Sequence, residues 1–140
     1  MINKLKEVLI ANNYSIIAIK DSQRYTSKLD GIKPVIFKLN EELSFFNGSI
    51  VVDKVIGKAS ASLLALSGAR EVYGLVMSIS AKEVFEKYHI IYHYDELVPY
   101  IINRRNDGMC PMEETVKDIE GLEDCYKALN EKLKQMASNR

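Results

Sequence analysis

The chain has 140 residues, with 19 Lys+Arg against 19 Asp+Glu, 47% hydrophobic residues, two cysteines and no tryptophan. That is the length of one domain, spanning residues 1–140, with enough apolar content for a core, so disorder and a disulfide scaffold are both excluded. Zero net charge supplies no field for duplex nucleic acid or an anionic membrane surface.

The start of the chain is charged at positions 4, 6 and 7, unlike a secretory leader. A span needs about 20 apolar residues, whereas the uncharged run Ala59–Ala69 has 11 and is interrupted by Ser and Gly. The expected location is the cytoplasm, where Cys110 and Cys125 stay reduced.

Leu5, Val8 and Leu9 share one helical face and predict a helix over residues 2–12, stopped by Asn12-Asn13. The β-branched stretch Tyr14–Lys20 predicts a strand. Asp21-Ser22-Gln23 predicts a turn, and Arg24–Leu29 the returning arm of a hairpin. Pro34 suits the first position of a helix carrying Ile36, Leu39 and Leu43, with Asn47-Gly48 closing the element. Ser49–Ile56 and Glu71–Met77 read as buried strands, with a small-residue helix from Gly57 to Leu66 between them. Ser80 and Glu83 form a capping box, flanked by Ile79 and Val84 as a hydrophobic staple, for a helix over 80–88. A short strand follows at Ile90–Tyr94, then an apolar segment at Leu97–Ile102. Leu122, Tyr126, Leu129, Leu133 and Met136 mark a long terminal helix. A hairpin followed by strand–helix–strand–helix–strand predicts an α/β fold: one mixed central sheet with helices on both faces, a three-layer α/β/α domain. In such sheets ligands gather beyond the carboxyl ends of the strands.

Two segments carry candidate chemistry. In the first, Asp53 to Ser60, a strand runs straight into a helix through Gly57. Free amides and the helix dipole attract anions there. Lys54 or Lys58 could add a full charge, Asp53 could accept a hydrogen bond, and Ser60 lies in the first turn. A P-loop is excluded, because Val52 and Ala59 stand where that motif requires Gly and Ser/Thr. The same residues also make an ordinary tight turn with a solvated lysine. In the second segment, Asn103 to Glu113, Cys110 precedes Pro111 and occupies the N-cap of a short helix, with Glu113 at capping-box distance. A helix N-terminus and Arg104 and Arg105 would lower the thiol pKa, whereas Glu113 and Glu114 would raise it. The arginines could instead clamp a phosphate or carboxylate, and a purely structural cap fits equally. His89 and His93 are expected on one side of a strand, with no further residue to complete a metal set. Cys125 falls beside core positions of the terminal helix.

The element order, together with Asp53-Lys54, Gly57-Lys58-Ala59, the run Glu96 to Arg104 and the run Asp107 to Glu113, resembles a prokaryotic domain-of-unknown-function family grouped with the cytidine-deaminase-like fold. The resemblance covers nearly the whole chain. It implies a three-layer α/β/α domain whose active relatives bind zinc at the starts of two central helices, through His/Cys-x-Glu and Pro-Cys-x-x-Cys. This sequence has Gly31 to Phe37 at the first start and Gly57 to Ser62 at the second, with neither motif. Cys110-Pro111 reverses the order and lies later. Zinc-dependent deamination is therefore not expected, and neither a metal nor another cofactor is called for. What the resemblance implies instead is a small anionic, nucleotide-like ligand at the Gly57-Lys58 helix start. Asp53, Lys54, Lys58 and Ser60 would be contacts, and the Arg104–Cys110 loop a lid. Two further readings stand beside it. One is a thiol-dependent enzyme with Cys110 as nucleophile and Asp53 or Glu113 as proton carrier. The other is a homo-oligomeric or interaction subunit using the apolar face of the terminal helix.

Overall fold

A computed structural model describes residues 1–139. In chain order it contains α1 (Ile2–Ala11), β1 (Ile16–Lys20), β2 (Gln23–Ser27), α2 (Lys33–Glu41), β3 (Ile50–Ile56), α3 (Lys58–Ser67), β4 (Glu71–Ser78), α4 (Ile79–Lys87), β5 (Ile91–Val98), α5 (Pro111–Val116) and α6 (Leu122–Ser138). The sheet order is β2-β1-β3-β4-β5. β1 runs antiparallel to both β2 and β3, while β3, β4 and β5 are mutually parallel. This is the mixed α/β sheet that the alternation of elements predicts.

The two faces are covered unequally. Leu5 and Leu9 of α1 pack with Ile17 and Val52 on one face. The other face carries the main core, in which Val35, Ile36 and Leu39 of α2, Leu63 and Leu64 of α3, Phe85 of α4, Val116 of α5 and Leu129 of α6 meet Val51 and Val72. The small residues of α3 are what let so many neighbours close in: Ala59, Ser60, Ala61 and Ser62 are all buried. In each parallel strand this core takes residues five positions apart, namely Val51 and Ile56, Val72 and Met77, Tyr92 and Leu97. Strict two-residue alternation would put an odd interval on opposite faces, so the alternation slips by one residue in all three strands. No helix among the described residues is long and apolar enough to cross a membrane.

Several local expectations need correction. β1 begins at Ile16, because Tyr14 closes α1 instead, its amide bonding Leu9 O at 3.0 Å while Asn13 turns through a left-handed φ of 54°. α2 stops at Glu41, and the residues to Gly48 form turns held by a buried hydrogen bond from the Phe46 amide to Ser67 Oγ, 2.8 Å. The cap of α4 is Ser78, whose Oγ accepts the Ala81 amide at 3.1 Å. Ser80 lies inside the helix, and Ile79 is exposed instead of stapling its start. Ile91 to Val98 forms a single strand, absorbing the start of the segment expected to be separate.

Candidate functional site

The junction between β3 and α3 is closed by a residue 55 positions away. Gly57 is the N-cap of α3 and offers no side-chain oxygen to the first-turn amides. Glu113, on the first turn of α5, supplies both: Oε1 accepts the Lys58 amide at 2.7 Å and Oε2 the Ala59 amide at 2.9 Å. The Lys58 ammonium returns the favour at the other end of α5, donating to Lys117 O (3.1 Å) and Ile119 O (2.8 Å). Each helix thus supplies charge of the sign that the other's exposed terminus prefers, negative on amides and positive on carbonyls. Gly57 has extended backbone (φ −100°, ψ −177°), open to any residue. Its role is steric, because a Cβ there would fall inside the van der Waals envelope of the Glu113 carboxyl group. Burial raises the Glu113 pKa, and the Ala59 and Lys58 amides together with the Lys58 charge pull it back down.

Beside this clamp, lined by residues of α3, α4, α5 and the segment after β5, lies a cavity of about 390 Å³. Lys58 and Ser62 of α3, Glu83 and Lys87 of α4 with the adjoining Tyr88, and Glu113 of α5 line it. Pro99, Tyr100, Met109, Lys117 and Glu120 complete the lining. Lys87 Nζ and Glu120 Oε2 stand 3.8 Å apart, both well exposed. The cavity therefore combines two tyrosine rings with side chains of both charges.

The structure separates several of the sequence candidates. Gly57, Lys58 and Glu113 converge. Ser60 is buried on the first turn of α3. Asp53 is buried within β3, its Oδ1 accepting the Val55 amide at 3.2 Å. It lies in the stretch where strand alternation slips, and no cation among the described residues pairs with it. Desolvation lifts its pKa to about 7, against the smaller effect of its bonds to the Val55 and Lys54 amides. Lys54 turns toward the end of α1 and donates to Asn13 Oδ1 at 2.7 Å. Arg104 pairs with Asp30 at 3.1 Å in solvent, and Arg105 is exposed as well. Neither arginine lines the cavity, and Tyr100 and Met109 on the flanks of their loop do. Cys110 is the N-cap of α5 but its sulfur makes no capping bond, and it packs half-buried against the core. Glu113 does not reach back to Cys110 as a capping box requires, because α3 holds it. Cys125 is buried, which raises its thiol pKa.

His89 is not on a strand. It occupies the turn before β5 with φ 58°, while His93 Nε2 meets Glu71 Oε2 at 2.7 Å. Among the described residues no group of three His, Cys, Asp or Glu side chains could hold a metal ion. The cavity residues that sequence reasoning missed, Glu83, Lys87, Tyr88 and Tyr100, sit on an outer helix face and a loop. The rule that ligands collect at strand carboxyl ends points to Tyr100, just past β5, but not to Lys87 or Tyr88 at the far end of α4.

A mixed five-stranded sheet flanked by helices defines the class: an α/β fold. The sequence matches the family model for the domain of unknown function DUF1893 (TM1506) over residues 4–133, and the chain belongs to that family. Its fold is similar to the crystal structure of a DUF1893 family protein (TM1506) from Thermotoga maritima, with a TM-score of 0.85 and 26% identity over 94% of this chain and 88% of the other. A comparison with curated proteins finds no match.

Proposed function

We infer that the protein binds a small anionic, nucleotide-like ligand in the cavity lined by α3, α4, α5 and the segment after β5. One observation carries this reading: a pocket of about 390 Å³ that reaches Pro99 and Tyr100 just past the carboxyl end of β5 and combines two tyrosine rings with the side chains of Lys58, Lys87 and Lys117. The ligand does not sit on the leading amides of α3, as the sequence suggested, since Glu113 already occupies them. Lys87 and Lys117 are the cations placed to meet an anionic group. Tyr88 and Tyr100 offer faces for a planar ring, and Glu83 and Glu120 can accept from its amino or hydroxyl groups. The preference for a nucleotide over other anions comes from resemblance to the cytidine-deaminase-like architecture, an argument by analogy of fold. The starts of α2 and α3 lack the zinc motifs of that superfamily's active members, so the reading is binding without zinc-dependent deamination.

Thermal denaturation with nucleoside monophosphates, neutral nucleosides and inorganic phosphate tests the reading. A ligand at one hundred times its Kd adds about 2.7 kcal/mol, a shift of several degrees for a domain of this size. Lys87→Ala and Tyr100→Ala should shrink the shift without lowering the melting temperature of the free protein. Absence of a shift with every compound at millimolar concentration overturns the proposal.

A further inference from the structure

We propose that β5 is a self-pairing edge, adding antiparallel to β5 of a second copy to make one continuous ten-stranded sheet. The two edges of the sheet are unlike. β2 is a five-residue hairpin arm, whereas β5 has eight residues, bonds only to β4 and is exposed over most of its length. A long open edge of this kind is a template for strand addition. Two of its own large side chains are open to solvent, Ile91 at 55% exposed and Tyr94 at 38%. Helix α1 packs over β1 and β3 and leaves this side of the sheet largely uncovered.

The sequence of β5 selects both the occupant and the register. Over the stretch Tyr92–Tyr94, before the alternation slips, opposed residues of a symmetric antiparallel pair lie on the same face, so the two-fold axis falls between the two copies of one residue. Centring on Asp95 or Glu96 opposes like carboxylates. Centring on Tyr94 sets His93 against Asp95 of the second copy, twice, because the strand is its own complement there. Both residues lie on the α1 face, where Asp95 bonds Lys6 (2.6 Å) and Tyr73 and where His93 meets Glu71. The opposite face then brings the two Tyr94 rings together, each already stacked on its own Tyr92 with centroids 6.5 Å apart. Imidazole–carboxylate hydrogen bonds and aromatic pairs across strands each add to a ladder.

Sedimentation or light scattering on the full chain, across the micromolar range, should report twice the chain mass. Tyr94→Lys opposes two ammonium groups at the axis and should weaken the dimer at least about ten-fold, which is roughly 1.4 kcal/mol. Met136→Lys, on the exposed side of α6, should leave it intact. Circular dichroism checks folding. If Tyr94→Lys fails to fold, His93→Asp, which faces a carboxylate across the interface, carries the same test. A monomeric wild type, a Tyr94→Lys variant that stays dimeric, or loss of the dimer in Met136→Lys would each overturn the proposal. A ligand-dependent thermal shift is read separately and bears only on the cavity.

Discussion

The β3–α3 and β4–α4 junctions occupy equivalent places in adjacent parallel strands, yet they are finished by different means. At β4–α4 the cap is Ser78, a neighbour in sequence, whose hydroxyl takes the Ala81 amide. At β3–α3 the N-cap is Gly57, and a carboxylate arrives from α5 to take two amides at once. The strands feeding the junctions differ too: the position that holds the buried carboxyl Asp53 in β3 is opposite Gly74 in β4. A locally capped helix is self-sufficient. A helix capped from a distance is tied to the element that caps it, so Glu113 and its reciprocal lysine add a polar link between α3 and α5 to the packing of Met112 and Val116 in the core.

Titration should break the equivalence of the two junctions most strongly. Asp53 ionises near 3.8 when unfolded and at about 7 in the native state, so the folded chain holds a proton that the unfolded chain has lost. Its contribution is fully present below about pH 3.8, declines as pH rises and is gone above about pH 7. The amplitude is on the order of 4 kcal/mol. Glu113, whose pKa is also raised, acts in the same direction, while Asp95, lowered first by its bond to Lys6, acts in the opposite one. Urea midpoints measured at pH 5 and pH 7.5 should therefore differ less in Asp53→Asn than in the wild type, since the amide keeps an acceptor for Val55 without titrating. An unchanged pH dependence in that variant would show that Asp53 is not the source.

Next in size is the long-range cap. Glu113→Ala leaves the Lys58 and Ala59 amides without an acceptor in a largely dry place, at a cost of about 2–3 kcal/mol. Gly57→Ala should lose a comparable amount by driving the carboxylate away, although alanine is the better helix former. A Gly57→Ala variant as stable as the wild type would show that the close approach of Glu113 is not required. Hydrogen exchange sharpens the distinction: both substitutions should speed exchange in α5 as well as in the first turn of α3. The smallest effect belongs to the local cap, where Ser78→Ala should cost about 1 kcal/mol and leave α5 unaffected.

These differences also explain which parts of the molecule could be read from its residues. Apolar runs at Ile50–Val52 and Val72, Pro34 at the start of α2 and the small residues of α3 each act over a few positions, so the α/β class and the element order follow from them. The cap of α4 is a near miss of the same local kind, because Ser78 and Ser80 offer the same hydroxyl chemistry two residues apart. At the candidate site, Gly57, Lys58 and Glu113 were recognisable as special residues, but their partners were not. Glu113 looked like the local partner of Cys110, and only its alignment with α3 shows it bonding elsewhere. Lys54 and Asp53 are neighbours of the junction in sequence, yet the slip in strand alternation sends one toward α1 and buries the other.

What the sequence determined by itself was the succession of strands and helices, because periodicity, turn chemistry and capping are short-range effects. Tertiary structure decided that the anion on α3 is the protein's own carboxylate, that the arginines of the loop face solvent, and that the cavity walls come from α4 and residues 99–109. Those outcomes depend on which surfaces meet when α5 and α6 pack on α3, an arrangement set by burial summed over the whole chain rather than by any short stretch of it.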